Sequence, residues 1–431
     1  MMRKAALHNL GCKVNAYETE AMQELLEESG YEIVPFSDKA DVYIINTCTV
    51  TNMADRKSRQ MLHRAKKMNP DAIVVAAGCY VQALEEKREA DDSIDIILGN
   101  NKKKEIVAVL EAYEKGKTKK EMIDINHTNQ YEEMELSKTA EHTRAYIKVQ
   151  DGCNQFCTYC IIPYARGRVR SRRLQDVVKE VTILAGNGYK EVVLTGIHLS
   201  SYGVDFKEEK DDLLSLIRAV HAIQGIERIR LGSLEPRIIT EEFARELSGM
   251  EKFCPHFHLS LQSGCDATLK RMNRRYSAKE YAGKCELLRR YFEHPALTTD
   301  VIVGFPGESK EEFEASRKFV DEIDFYETHI FKYSKRQGTK AAAMPQQVDE
   351  QVKSQRSAKM LSLDEEKRKK YENYWIGKEV EVLVEEETEI EGRRFWIGHT
   401  KEYMKILIES EENLQNTIIR VQIKNHSQII H

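Results

Sequence analysis

Short apolar, β-branched runs alternate with helix-spaced segments along most of this chain, an order that restricts it to parallel sheets covered by helices. Residues 4–10, 41–46, 72–77 and 93–98 have strand character. Residues 17–29 place Ala21, Met22, Leu25 and Leu26 at helical spacing and stop at Gly30, and residues 54–68, 81–89 and 103–114 give three more helices. The expectation is an α/β chain that begins with a doubly wound parallel-sheet domain over residues 1–115. The alternation resumes at residue 145 with a longer period. Strands fit at 145–149, 191–195, 228–231, 256–261, 299–303 and 327–333, with helices at 174–185, 213–223, 240–248, 278–291 and 310–322. Six repeats are two short of a closed eight-fold barrel, so a partial (β/α)6 barrel is expected over residues 139–369. Residues 115–142 keep no apolar period and read as a linker or loosely packed crossing. After a charged helical stretch at 352–373, strands at 378–385, 393–398, 403–408 and 417–423 follow with no helix between them. That pattern predicts a small C-terminal β-barrel of oligonucleotide-binding type over residues 372–431.

Composition excludes several classes. At 41% hydrophobic and 32% charged, the chain has the apolar content for real cores and is not wholly disordered. No apolar run approaches the roughly 18–20 residues of a membrane-spanning helix. The first residues carry no secretory apolar region or cleavage site, so a soluble, cytoplasmic protein with no membrane partner is expected. With 66 basic and 70 acidic residues the net charge is −4, which confines nucleic-acid affinity to local patches. Nine cysteines in such a chain point to metal ligands or reactive thiols rather than to a disulfide framework.

Cys153, Cys157 and Cys160 stand with three and two residues between them, on the loop after the first barrel strand. That spacing can wrap one cubane iron–sulfur cluster. Ordinary clusters take four cysteines; three leave one iron open, like the open position of a catalytic metal. A zinc knuckle short of a ligand, or three unrelated thiols, are the alternatives. Cys12, Cys48 and Cys79 have 35 and 30 residues between them, but each follows the carboxyl end of an expected parallel strand: Leu10-Gly11-Cys12, Asn46-Thr47-Cys48, Ala77-Gly78-Cys79. Parallel strands bring those ends to one edge of the sheet, where α/β proteins bind ligands. The three thiols can therefore converge on a second cluster; three buried cysteines acting as small hydrophobes are the alternative. Cys254, Cys265 and Cys285 share no spacing and are assigned to packing. His256 and His258 share a strand face and are read as structural.

A Cys-x-x-x-Cys-x-x-Cys loop on a partial barrel resembles the radical S-adenosylmethionine superfamily. Gly11-Cys12-Lys13-Val14-Asn15, Asn46-Thr47-Cys48-Thr49-Val50, Gly78-Cys79-Tyr80, the run from Asp151 to Gly167 and the run from Asp300 to Glu308 are similar to motifs of the methylthiotransferase family. The likeness spans essentially the whole chain. It implies two [4Fe-4S] clusters, S-adenosyl-L-methionine, and radical conversion of an aromatic C–H to C–S–CH3. The cluster at Cys153, Cys157 and Cys160 would cleave S-adenosylmethionine. The other would hold a sulfur or methylthio group on its open iron, and a second S-adenosylmethionine would supply the methyl. Phe156 and Tyr159 would pack around cluster and adenine, or simply within the loop. Gly-Cys-Lys-Val-Asn and Gly-Cys-Tyr resemble the members acting on threonylcarbamoyl-adenosine beside the tRNA anticodon. Enzymes for isopentenyl-adenosine tRNA or a ribosomal-protein aspartate are the alternatives. A non-enzymatic iron–sulfur protein that binds RNA or senses redox state is the alternative of another class. The implied partners are the tRNA anticodon stem-loop and an electron-donor protein such as flavodoxin or ferredoxin.

Polar groups at the carboxyl ends of the barrel strands correspond to superfamily contacts with S-adenosylmethionine: Thr195, Gly196, Ser233, Glu235, Gln262, Ser263 and Gly304. Turn chemistry alone also accounts for Gly and Ser there. Arg166, Arg168, Arg170, Arg172 and Arg173 follow one another without an acid, residues 56–67 hold six basic residues and no acid, and residues 270–275 hold four more. Unmixed patches beside both cysteine sets suit a phosphate backbone. The C-terminal barrel resembles the RNA-binding TRAM domain. With 12 acids against 7 bases over residues 372–431, it would have to grip RNA by one face, through Arg393, Arg394, Lys401, Lys405 and Lys424. Tyr403, Phe395 and Trp396 are candidates for base stacking.

Overall fold

A computed structural model describes residues 2–83, 91–116, 120–138, 143–208 and 210–431. The N-terminal sheet is wholly parallel, in the order β2-β1-β3-β4-β5-β6. Its strands are β1 (Lys4–Asn9), β2 (Glu32–Ile33), β3 (Val42–Thr47), β4 (Ile73–Gly78), β5 (Ile96–Leu98) and β6 (Lys120–Glu121). Helices α1 (Lys13–Glu28), α2 (Asn52–Met68), α3 (Cys79–Ala83) and α4 (Ile106–Glu114) cover it. β3 is buried at every position, as a central parallel strand covered on both faces must be. Val42 and Ile44 face one core, Tyr43 and Ile45 the other. α1 begins at Lys13, earlier than its apolar spacing predicts, so that Cys12 sits at the strand-to-helix turn. The helix expected at 81–89 lies partly outside the described residues; its described part is α3.

Six parallel strands form the barrel: β7 (Arg144–Asp151), β9 (Glu191–Gly196), β10 (Arg228–Leu231), β11 (His256–His258), β12 (Ala296–Val303) and β13 (Glu327–Lys332). A short β8 (Arg170–Ser171) pairs antiparallel with the end of β7. Single bridges at Ile229–Phe253 and Leu234–Leu259 join the β10 side to the β11 side. The outer strand faces, including Ile147, Val192, Leu194, Val301 and Val303, are buried with Val181, Ile217 and Leu288 of the surrounding helices. The inner face is polar: Arg144, Lys148, Glu191, Arg230, His256, His258 and Asp300 alternate with those apolar positions. α1 lies along β7 and β9.

Residues 120–138 are not the loose crossing expected. β6 extends the first sheet, Met134 and Leu136 are buried in its core, and the Tyr131 hydroxyl donates to the Lys148 carbonyl at 2.7 Å. Their apolar residues have no period because they fill gaps between two domains rather than one face of an element. The chain ends in a five-stranded antiparallel sheet, 379–390, 393–400, 405–409, 418–422 and 429–430, around Val382, Trp396 and Ile406. It plugs the barrel floor, where Arg228 and Arg230 donate to the carbonyls of His399 and Lys401 at 2.7 and 2.9 Å. This overturns part of the stacking expectation. Tyr403 is stacked between His256 and His399, at 5.0 and 4.7 Å, with the Arg230 guanidinium 4.6 Å from its ring. Trp396 is 2% exposed and belongs to the core. Among the described residues no helix is long and apolar enough to cross a membrane.

Candidate active site

Cys12, Cys48 and Cys79 converge at the carboxyl edge of the first sheet. Gly11 has φ +107°, and a Cβ there would lie 2.9 Å from the Cys48 sulfur, so only glycine lets β1 turn this close to its neighbour. The Ser58 hydroxyl donates to the Cys48 carbonyl at 3.0 Å and ties that loop to α2. Burial pushes the Cys48 thiol up to about 11, and the charges of Cys79 and Cys12 add to it. Burial also raises Cys12, against the pull of Arg166. The Cys79 sulfur acts on both Cys12 and Cys48, and Cys12 on Cys48, as three sulfurs in one small space do.

The second set lies on the loop after β7. Gly152, at φ +71°, leaves no room for a side chain: a Cβ would fall 1.8 Å from the Arg168 carbonyl oxygen. The Cys153 amide donates to the Gly167 carbonyl at 3.0 Å, and the Cys160 amide to the Cys157 carbonyl at 3.0 Å, so the loop is folded back on itself. Burial pushes Cys153 up to about 11 and Cys160 to about 12. Arg274 donates to the Cys157 sulfur at 3.2 Å. Phe156 lies under the Arg168 guanidinium at 4.6 Å, and Tyr159 packs edge-on against Phe305.

One buried ion network joins the two sets. Arg166, six residues after Cys160, donates through Nε to the Cys79 sulfur at 3.2 Å. Its two other nitrogens reach Glu18 at 2.5 and 2.9 Å, Asp151 at 3.1 Å and the Asn15 amide oxygen at 2.5 Å. Glu18 also pairs with Lys103 and, at 2.7 Å, with Lys148. Burial alone would raise the Glu18 carboxyl, but Arg166, Lys103 and Lys148 outweigh it and hold it well below the usual carboxylate range. Asn100 completes the contact, its amide 3.5 Å from the Cys79 sulfur and 2.7 Å from the Ala165 carbonyl.

This network corrects the reading of the arginine run. Arg166, Arg170 and Arg172 are fully buried. Arg170 pairs with Asp151 at 3.6 Å and Arg172 with Glu180. No phosphate reaches them; their counter-charges come from Glu18, Asp151 and Glu180, acids outside the run. Arg168 is half-buried and Arg173 exposed. On α2 the solvent face keeps Arg56, Lys57, Arg59, Arg64 and Lys67 exposed. Arg393 and Arg394 sit at a hairpin of the C-terminal sheet, paired with Glu409 and Glu387 at 3.4 and 2.8 Å.

At the barrel mouth, Thr195 and Gly196 end β9, and Glu235 is held by Arg237 at 2.7 Å. Ser233 is exposed and Gln262 is buried at φ +70°. Ser263 is 1% exposed and its hydroxyl accepts from the Cys265 amide, closing a turn. Gly304, at φ +72°, backs onto Lys353. Sequence reasoning placed Arg274 in the basic patch at 270–275 and missed its contact with Cys157, as it missed Asn100 and the Arg166–Cys79 contact. No local spacing signals any of them, because each partner lies more than 20 residues away.

Each set offers three sulfurs that bind a metal once deprotonated, with one guanidinium donating to one sulfur of each. The donor chemistry and the glycine-lined approach fit iron–sulfur clusters held at three corners. Residues 4–99 match the uncharacterized protein family UPF0004, and residues 147–320 match the radical SAM superfamily. The chain is 41% identical over 425 residues to threonylcarbamoyladenosine tRNA methylthiotransferase MtaB of Bacillus subtilis, covering 98% of this chain and 94% of the relative. It is 41% identical to the Aquifex aeolicus MtaB, covering 90% and 94%. To tRNA-2-methylthio-N(6)-dimethylallyladenosine synthase of Alkaliphilus oremlandii it is 33% identical, covering 98% and 90%. Among solved structures, the radical S-adenosylmethionine methyltransferase TsrM from Kitasatospora setae shares the fold, with TM-score 0.57 over 76% of this chain and 73% of that one at 15% identity. With the barrel, the second cysteine set and near full-length identity in agreement, the chain belongs to the radical S-adenosylmethionine methylthiotransferases of tRNA, enzymes that work with S-adenosylmethionine and two [4Fe-4S] clusters.

Proposed function

We propose that this enzyme converts N6-threonylcarbamoyladenosine beside the tRNA anticodon to its 2-methylthio derivative. The observation that carries the reading is the convergence of two three-cysteine sets across one buried network, in which Arg166 reaches both Cys79 and Asp151, two residues before the Cys153–Cys160 loop. Two threonylcarbamoyladenosine enzymes reach 41% identity over 90% or more of this chain, above the 33–37% of the dimethylallyladenosine enzymes, which supports the substrate assignment.

When bound, the clusters and S-adenosylmethionine supply one-electron cleavage and sulfur transfer, chemistry that an adenine carbon without an acidic proton requires. Cys153, Cys157 and Cys160 hold the cluster that cleaves S-adenosylmethionine, and Arg274 neutralises part of its charge. Cys12, Cys48 and Cys79 hold the other. Arg166 fixes the N-terminal domain, residues 1–115, against the radical domain, residues 139–369. Thr195, Gly196, Ser233, Glu235, Gln262 and Gly304 line the mouth where S-adenosylmethionine binds. Arg168, Arg173 and the basic face of α2 take the anticodon stem phosphates, with Arg393 and Arg394 of the TRAM-like domain, residues 372–431, reaching further along the RNA. A cytoplasmic flavodoxin or ferredoxin delivers the electron.

Mass spectrometry of tRNA nucleosides from cells lacking the gene tests the reading. Loss of 2-methylthio-N6-threonylcarbamoyladenosine, with its unmethylthiolated precursor accumulating, is expected. Its persistence, or loss of the methylthio group from the isopentenyl nucleoside instead, contradicts the assignment.

A further inference from the structure

The inner face of the barrel carries a cation that the chemistry above leaves unused. Lys13 follows Cys12 directly, at the first position of α1. Its ammonium lies 5.8 Å from the Tyr146 ring and 6.0 Å from the Tyr403 ring. The charges acting on it are Arg230, Arg144 and Glu191, whereas those acting on Cys12 are Arg166, Cys79 and Glu18. Glu191 is already claimed by Arg144 and Arg230, each at 2.9 Å, and Glu385 by Arg144 and His399. Among the described residues Lys13 has no carboxylate partner, so one positive charge on the barrel floor is left without a counter-charge. An ammonium close to two guanidiniums and without a partner is costly, and a ligand carboxylate would relieve it.

The inner face above Lys13 is lined for a flat, polar group. His256 stacks on Tyr403 at 5.0 Å; His258 lies 3.3 Å from Asp300 and stacks on His329 at 5.6 Å. Asp300 registers with His329 and Ile302 with Phe331, so His329 and Phe331 share this inner face. Phe331 is 46% exposed, an open aromatic surface on the edge strand of the kind on which bases stack.

We infer that this inner face receives the modified base, with Lys13 donating to the carboxylate at the end of its threonylcarbamoyl arm. The inference rests on the substrate assigned above. An apolar arm would cover the ammonium and leave it unpaired, so the same residue that binds the acid rejects the isopentenyl nucleoside.

The test uses reconstituted enzyme and three anticodon stem-loops, carrying the threonylcarbamoyl nucleoside, its methyl ester, or the isopentenyl nucleoside. Dissociation constants are measured without reductant, and KM and kcat with it. Wild type is expected to bind the acid about 10- to 150-fold more tightly than the ester, the range for a hydrogen bond to a charged group. Lys13→Met should bring the acid down to the ester's affinity and leave the ester unchanged; Lys13→Arg should restore the difference. kcat at saturating RNA should hold within a few-fold. Equal binding of acid and ester by wild type overturns the inference, as does equal weakening of both by Lys13→Met, which would mean that Lys13 serves the fold or the cluster. Turnover of the isopentenyl RNA alone refutes the substrate assignment itself; turnover of the acid without discrimination against the ester refutes only the role of Lys13.

Discussion

Replacing Glu18 with Gln removes one of the two carboxylates that balance a fully enclosed set of cations. Glu18 binds Arg166 through both oxygens, Lys148 at 2.7 Å and Lys103, and all four side chains are at most 1% exposed. The amide keeps the shape and loses the charge, leaving Asp151 as the partner shared by Arg166, Lys148 and Arg170. Breaking a buried ion pair from one side costs about 3–5 kcal/mol, or roughly two to three and a half powers of ten in the folded ratio. Because Glu18 is on α1 and Lys148 and Arg166 are on the barrel, the loss should fall on the junction between the domains. Anaerobic hydrogen exchange on the apo protein should lose protection in β7 and α1 by about that factor. Glu105→Gln is the control: its pair with Lys102 at 2.7 Å is partly exposed, and such pairs contribute about 0–1 kcal/mol. The dependence on pH has a fixed sign. Arg166, Lys103 and Lys148 hold the Glu18 carboxyl below its unfolded value. Its contribution is therefore complete above about pH 4.3 and fades as pH falls through the folded value. Glu18→Gln should flatten that acid limb. A Glu18→Gln protein as stable as the Glu105→Gln control, with the acid limb unchanged, refutes the reasoning.

Arg274→Lys removes the 3.2 Å donation to the Cys157 sulfur. Without that bond the reduced cluster is less well stabilised, and its midpoint potential, read by EPR-monitored titration, should fall by roughly 20–60 mV, the equivalent of about 0.5–1.5 kcal/mol for one electron. An unchanged potential contradicts the contact. Gly152→Ala forces a Cβ to within 1.8 Å of the Arg168 carbonyl oxygen at φ +71°; the loop must unfold locally, and reconstituted iron should fall from about eight to about four per chain. Retention of eight irons would show that the loop tolerates the side chain. Neutralising Arg56, Arg59 and Arg64 on the exposed face of α2 should reduce the slope of log affinity for tRNA against log salt by about 0.7–0.9 per residue. An unaltered slope places the phosphates elsewhere.

Much of the architecture was legible because it is periodic. Four strands of the first sheet and six of the barrel each alternate with helices, and parallel strands put Cys12, Cys48 and Cys79 on one edge whatever their separation in sequence. β2 and β6 have two residues each and carry no pattern of their own. The arginine run misled for an electrostatic reason: five basic residues without a local acid read as a surface, but Glu18, Asp151 and Glu180 reach three of them through the fold. Tyr403 misled for a similar one, since an aromatic in a small C-terminal domain is indistinguishable by sequence from one that seals a neighbouring barrel.

The central claim is that the two cysteine sets have different tasks. Anaerobically reconstituted Cys48→Ala and Cys157→Ala proteins, each supplied with S-adenosylmethionine, reductant and tRNA, separate them when 5′-deoxyadenosine and methylthiolated nucleoside are quantified together. Cys157→Ala should form neither product, while Cys48→Ala should still release 5′-deoxyadenosine and form no methylthiolated nucleoside. Full methylthiolation by Cys48→Ala would contradict the account.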